Sequence, residues 1–520
     1  MDLTRREFLA ATGAGVGAAA VRLRSARAFE DPTLRRTIEA ALDTAKKRGA
    51  SYADVRVVRL RHERITARED HLTEAAQTES YGLGVRALKG GAWGFAATAM
   101  VIEEEARRVA ELAVSIAATH AKLRREPVTL APAPAVRDVW QTPLSKNPFK
   151  IALAEKVDLL LHVNAEALKV PGAKYVRSWS HAIGEWKIFA STDGSWIEQS
   201  ITRLGPGYEV TAVDAKSGEF EKREHDLPPM QAGWEHVTGS SFATDARRVA
   251  EEAVEKLRAP SVEPGRRDLI LAPNNLWLTI HESVGHPTEL DRALGYEANF
   301  AGTSFATIDK LHKYIYASKI VTLYADKTTP GGLATCAYDD DGVATQRWDL
   351  VDAGRFVGYQ TTREQAAWIG EKASRGCSYG EGFAAFPFQR MPNVSLAPGR
   401  KDLDANDLIA ATQDGIYIVG RGSWSIDQQR YNFQFSGQMF YEVKRGKIRR
   451  ALRDVAYQSS SPEFWRSCDL IGGPKSFELH GSLYDGKGEP PQSNPVSHGC
   501  PPARFKKVNI LNISRRKRPA

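Results

Sequence analysis

The sequence predicts an α+β protein: an N-terminal α/β domain, then a C-terminal, mostly antiparallel β-rich domain that carries one helix near its start. Three observations lead there. Residues 33–124 switch between helical and strand periodicity. Two Pro-containing stretches divide the 520-residue chain into segments of single-core size. From residue 269 onward, turn signals ("KTTPGG", "DDDG", "DAGR", "APGR", "TQDG", "KRGK") separate short runs rich in Ile, Val, Tyr and Trp.

Taken in order, "TLRRTIEAALDTAKKRG" at 33–49 places Leu34, Ile38, Ala41, Leu42 and Ala45 at helical spacing, and Gly49 is suited to end the helix. "YADVRVVRLRHERITARED" alternates as a half-buried strand does. "YGLGVRALKGGAWGFAAT" is glycine-punctuated but lacks G-x-G-x-x-G order, so tight strand turns are expected in place of a nucleotide loop. "MVIEEEARRVAELAVSIAATHAKL" is an amphipathic helix. A Pro/Ala-rich linker at 125–138 ends this first domain, 29–130. The middle α+β region, 139–258, opens with a helix near 149–169, continues in strands turned at "TDGS", and closes with a helix near 242–258. A second linker at 259–268 leads into the C-terminal domain, 265–515.

The first 28 residues stand apart. Arg5-Arg6, then Phe8-Leu9, a Gly/Ala-rich stretch and Ala26-Arg27-Ala28 resemble a bacterial twin-arginine export signal, which implies a periplasmic or secreted protein. This segment supplies +3 of the formal +8 charge, and Arg515, Arg516, Lys517 and Arg518 supply another four. The body between is nearly neutral, so no folded basic face for nucleic acid is expected. No stretch reaches the roughly 20 apolar residues of a membrane helix, so no membrane association is expected. Cys336, Cys377, Cys468 and Cys500 show no C-x-x-C spacing, and an oxidising compartment permits a disulfide that the sequence does not assign.

The chemistry concentrates in "LTIHESVGHPTELD", residues 278–291. Two histidines four apart on a helix point the same way and can share one zinc ion. His281 and His286 are five apart, which on a regular α-helix turns them about 140° away from each other. A π-bulge, or a helix that stops before His286, removes the conflict. Gly285 and Pro287, both helix-weakening, sit on either side of His286. Glu282, next to the first histidine, is placed to act as general base. Glu289 and Asp291 follow one turn on as acceptors for imidazole N–H groups, which would fix the tautomer of each ring.

"HESVGHPTELD" resembles the H-E-x-x-G-H-x-x-E-x-D segment of the TldD/PmbA family. "YADVRVVR", "YGLGVRALKGGAWGFAAT", "YDDDGVATQRWDLVDAGRFVGY", "FQRMPNVSLAPG" and "YEVKRGKI" resemble further family segments, in the family's order and over most of the chain. The resemblance implies a zinc-dependent peptidase acting on unfolded or flexible peptides in an enclosed cavity. It also implies a homodimer or a heterodimer with a paralogue. By that match His281 and His286 are ligands and Glu282 is the base. The family's third ligand is a cysteine in a C-G-K segment, but the matching stretch here is "YDGKGEPPQSNPVSHGCPP", with Asp485 at the cysteine position. Cys500 and Asp485 are thus alternative third ligands, with Cys500 placed first and loss of the metal as the remaining outcome.

Arg390 and Asn393, in "FQRMPNVS", resemble a family motif near the substrate cavity and are candidate substrate-binding residues. His498 is a candidate support for a ligand histidine. Asp339–Gly342 lacks the alternate-residue spacing of a calcium loop and reads as a hairpin tip, and Trp424 and Asp427 read as packing and turn residues. The competing functional reading is a catalytically silent subunit like the family's PmbA members. A β-rich polymer-binding protein is a weaker third, because no aromatic pattern specifies it.

Overall fold

A computed structural model describes residues 31–514; the proposed export signal lies outside the described residues. The first helix, α1 (Pro32–Lys47), starts where the Asp31 carboxylate accepts from the Thr33 and Leu34 amides at 2.9 and 3.1 Å, with Pro32 in the first turn. Next come β1 (Tyr52–Arg68), β2 (His71–Lys89), β3 (Ala92–Thr98) and α2 (Glu103–His120). Beyond the Pro/Ala-rich stretch follow β4 (Arg137–Gln141), α3 (Leu153–Leu168), β5 (Ala173–Ser191), β6 (Trp196–Val213), β7 (Phe220–Glu224) and α4 (Ala246–Arg258). The strands of both segments make one sheet in the order β3-β2-β1-β5-β6-β4, with β7 also on β6. The first and middle regions therefore share their hydrogen-bonded framework.

Strand alternation gives this sheet two different faces. Val55, Val57, Leu83, Val85 and Ile188 point to one side and pack under α1 and α2, while α3 and α4 cover Val176, Tyr208 and Val210 further along. The opposite face carries Asp54, Arg56, Arg86, Glu185, Lys187 and Arg203, all buried. The Asp339–Gly342 turn docks on that face: Arg86 bridges Asp54 (2.8 Å) and Asp341 (2.7 Å), and Lys187 bridges Glu185 (2.9 Å) and Asp340 (2.7 Å). The turn is a hairpin tip, as expected, closed by the Tyr338–Ala344 bridge, but its carboxylates are buried.

The glycine-rich stretch forms a turn only at Gly90-Gly91, both at positive φ. Gly94 lies within β3 because α2 passes too close for a side chain: a Cβ there would sit 2.0 Å from the Ala113 carbonyl oxygen.

The C-terminal region uses β8 (Gly265–Leu271), α5 (Pro273–Ile280), β9 (Asp414–Ile426), β10 (Asn432–Lys444), β11 (Lys447–Leu452), β12 (Val455–Ser460), β13 (Glu478–Lys487), β14 (Gln492–Cys500) and β15 (Ala503–Asn512). Strands β9-β8-β15-β12-β10 form a sheet that closes on itself through β9–β10 pairing, parallel only at β8–β9. Leu269, Leu271, Leu276, Ile280, Ile416, Ile418, Phe433 and Phe435 share its core. Helix α5 packs against β9 and against the separate hairpin β13–β14. That hairpin and the end of α5 carry the site.

Candidate metal centre

The conflict in the histidine spacing is resolved by the backbone. Residues His281–Gly285 continue α5 as a π-helical turn, in which the His286 amide donates to the His281 carbonyl, and His286–Thr288 follow as a 3₁₀ turn with Pro287 in it. A five-residue step is close to one turn of such a widened helix. The two imidazoles accordingly face each other at 4.5 Å between ring centres. Gly285 lets the Met391 side chain pack against the turn: a Cβ there would lie 2.5 Å from the Met391 sulfur, which would have to move.

Hydrogen bonding then fixes both tautomers. His498, on β14, places Nδ1 2.9 Å from the Val394 carbonyl, an obligate acceptor, so Nδ1 carries the proton. Burial, and then the charge of His281, hold the His498 imidazole well below its usual pKa, so it is neutral and its Nε2 is an acceptor. His281 Nδ1 lies 2.8 Å from that nitrogen and must donate to it. His286 Nδ1 lies 3.0 Å from Glu289 Oε2 and donates to the carboxylate. Each ligand candidate is left with a lone pair on Nε2.

Both lone pairs converge on one carboxylate. Asp485 Oδ1 is 3.5 Å from His281 Nε2 and 3.6 Å from His286 Nε2, and the ligand atoms of the three residues all lie within 4.8 Å of one another. A register irregularity in β13 between Ser482 and Asp485 precedes this residue. Burial opposes ionisation of Asp485, but His281, His286 and Arg390 together outweigh it and hold its carboxyl below the ordinary range. Burial, with the Arg430 charge next, pushes His286 down to about 4. Burial opposes the charged form of His281 too, but its hydrogen bond to Asp485 and the neighbouring carboxylates outweigh that and move it upward. In the metal-free protein a proton on His281 Nε2 can bridge to Asp485; two imidazoles with a carboxylate gathered at one point are a usual donor set for a divalent metal, which would displace it.

The supports extend further than the sequence indicated. Glu289 accepts from Arg292 Nε at 2.9 Å and pairs with Lys487 Nζ at 3.3 Å. Asp291 does not serve an imidazole; it pairs with Lys487 at 2.8 Å. The Trp277 ring stacks on His498 at 6.0 Å. Glu282 is ion-paired with Arg430, whose side chain comes from the turn between β9 and β10.

Cys500, Arg390 and Asn393 do not take the roles that the sequence suggested, and each for a visible reason. Cys500 lies two residues beyond His498 on β14, but its thiol points to the Pro273 carbonyl (3.6 Å) at the start of α5, outside the ligand group. Burial pushes that thiol well above its usual pKa, which disfavours a thiolate. Arg390 is turned inward. It is buried, donates to the Asp485 and Gln492 carbonyls, and lies 3.4 Å from Asp485 Oδ2, so it holds the ligand strand. Asn393 is likewise consumed internally: Nδ2 donates to the Asp326 carbonyl and Thr335 Oγ1, and Oδ1 accepts from Ala334 and Ser497 amides.

Four residues of the site are not apparent from the sequence: Arg430, Arg292, Lys487 and Trp277. Lys487 and Arg292 had a signal, standing two residues after Asp485 and one after Asp291 in the matched segments. Arg430 had none, being 148 positions from Glu282.

Comparison with known proteins agrees with this architecture. Three domain models of one family match in sequence order: PmbA/TldA metallopeptidase domain 1 at 53–117, the central domain at 146–259 and the C-terminal domain at 264–512. A metalloprotease of Methanothermobacter thermautotrophicus is 28% identical over 88% of this chain and 95% of its own length. A zinc metalloprotease TldD homolog of Saccharolobus solfataricus is 23% identical over 90% of this chain and 98% of its own. The crystal structure of TldE from Thermococcus kodakarensis has the same fold, with TM-score 0.69 and 17% identity over 91% of this chain and all of that one. With all three domains matched in order and relatives aligned nearly end to end, the chain belongs to the TldD/PmbA family of metallopeptidases.

Proposed function

We propose that the protein is a zinc-dependent peptidase in which His281, His286 and Asp485 hold the ion and Glu282 is the general base. The observation that carries this reading is the convergence of two tautomer-fixed Nε2 atoms and the Asp485 carboxylate on one point. A zinc ion held there supplies Lewis-acid polarisation of a scissile carbonyl and acidification of the attacking water.

The chain's own residues do the rest. Glu282 takes the proton from the attacking water and returns it to the leaving amine nitrogen. His498 and Glu289 keep the two Nε2 atoms unprotonated and aimed, while Arg390 and Lys487 hold β13 so that Asp485 keeps its place. His281, His286 and Asp485 are only 4–6% exposed, so a folded domain cannot present a peptide bond to them. That supports unfolded or flexible peptides as substrates. Export by the twin-arginine route to the periplasm or beyond is part of the same proposal, as is a homodimer or a heterodimer with a paralogue.

The test is cleavage of an unstructured peptide by zinc-loaded protein. Glu282→Gln should lower turnover by about 10²–10⁴-fold while zinc content stays unchanged. Undiminished cleavage in that variant, or cleavage that survives complete chelation, would overturn the proposal. The Asp485 substitution favours one second reading, the metal-free silent subunit, for which the wild type would take up no zinc.

A further inference from the structure

The Glu282–Arg430 pair has consequences for the open coordination position that a catalytic metal needs. Glu282 directly follows a ligand histidine within the π turn, and it is a buried carboxylate whose charge acts on His281 although it stands outside the group of three that converge on one point. A carboxylate so placed has two possible uses next to a divalent ion. It can bind the ion as a fourth protein ligand, or stay off it and act as a base. Four protein ligands make a closed, structural type of site, and three leave the position that catalysis requires. The sequence offers no hint as to what keeps Glu282 from closing the site.

Arg430 is built for that task. Its Nη1 donates to Glu282 Oε2, and both side chains are largely buried, at 13% and 7% exposure. Its backbone sits at φ 61°, a conformation that costs a non-glycine residue energy and persists only where surroundings impose it. Here they do. The Asp427 carboxylate accepts from the Tyr431 and Asn432 amides, the Arg430 amide donates to the Asp427 carbonyl, and Ser461 Oγ donates to the Arg430 carbonyl at 2.7 Å. The turn is also tied to the segment that follows the motif: the Thr303 and Phe305 amides donate to the Gln428 and Gln429 carbonyls, both at 2.9 Å. The guanidinium is thus delivered to Glu282 by a rigid, strained loop, and its Nε–H is buried without an acceptor among the described residues. A cation this costly to bury needs a purpose.

We propose that Arg430 is a positioning residue that holds Glu282 off the metal, keeping the fourth coordination position open and the carboxylate free to act as base. The inference rests on the metal site proposed above but not on any peptide being cleaved. With Arg430 gone, Glu282 turns onto the ion, so zinc is held more tightly while turnover falls. That opposed pair of effects is not what a merely structural arginine would give.

The test is a double-mutant cycle on zinc affinity, read by competition with a chelating dye on the full chain. Arg430→Met should tighten zinc binding by at least tenfold more in the presence of Glu282 than in the Glu282→Gln background. The comparison removes the simple repulsion between guanidinium and ion, which acts in both backgrounds. Arg430→Lys, which keeps the charge with little change in packing, should remain within about threefold of wild type and guards against misfolding of the methionine variant. Equal tightening in both backgrounds would overturn the inference, as would weaker zinc binding by a folded Arg430→Met. Wild type that binds zinc but cleaves no peptide would sink the peptidase reading alone, since the cycle does not depend on turnover.

Discussion

Two clusters of buried charge lie in this molecule, and they settle their charge in opposite ways. Beneath the Asp339–Gly342 turn, Asp54, Asp340, Asp341 and Glu185 meet Arg56, Arg86, Lys187 and Arg203, four anions against four cations. At the end of α5, by contrast, Asp485 Oδ1 meets the Nε2 atoms of two imidazoles whose Nδ1 atoms are engaged elsewhere. The first cluster is complete, and it welds the N-terminal sheet to the C-terminal region. The second gathers imidazole nitrogens and a carboxylate oxygen at one point, with Arg390 reaching only the other oxygen of the Asp485 carboxylate. Burial and carboxylate count do not distinguish a metal site from an ionic weld; the kind of donor atoms brought to one point does.

Breaking the weld should have the largest effect. Asp340→Ala leaves Arg56 without a carboxylate and Lys187 with Glu185 alone, and should cost about 3–5 kcal/mol in urea unfolding, because a buried cation is left unpaired. A loss under about 1 kcal/mol would mean that the cluster is hydrated and not a weld. Metal should act on the other cluster alone. Zinc at about 100 times its Kd should stabilise the wild type by about 2.7 kcal/mol and leave Asp485→Ala unaffected. Next are the supports: Glu289→Gln and His498→Leu should each weaken zinc binding about 10–100-fold, measured on protein first shown to be folded.

Acid sensitivity of the metal-free protein probes His286 itself. His286 is pushed down to about 4 by burial, from an ordinary value near 6.5. Between those values the unfolded chain binds the proton and the folded chain does not. The stability from its neutral form is therefore complete above about pH 6.5 and is lost as pH falls toward 4, by about 1.4 kcal/mol per unit at the steepest. The stability difference between wild type and His286→Asn, followed by urea unfolding in chelator, should shrink over that window. A difference constant with pH would mean that His286 is not held neutral.

Much of this was legible in the sequence. The helices and the β-rich C-terminal half follow from periodicity, and the five-residue histidine step with Gly285 and Pro287 already required a local widening or end of the helix. Glu289 as partner of His286 followed from its position one turn on. What stayed hidden depends on chain segments far apart. The alternating charges of "YADVRVVR" look like a solvated face, and they become a buried one only because residues 339–341 dock there. A linear chain gives no geometric ground for separating Cys500 from Asp485, and the order that placed the thiol first is reversed in the fold. The pairing of β13 with β14 and the irregularity before Asp485 bring the carboxylate to the histidines, while the thiol turns to Pro273. Arg430 needed the closure of β9 on β10 to become visible at all.

The most direct test of the central claim is zinc stoichiometry by mass spectrometry on untagged wild type, Asp485→Ala and Cys500→Ala. One zinc per chain is expected in wild type and in Cys500→Ala, and none retained in Asp485→Ala. Zinc lost from Cys500→Ala but kept in Asp485→Ala, or no zinc taken up by folded wild type, would contradict it.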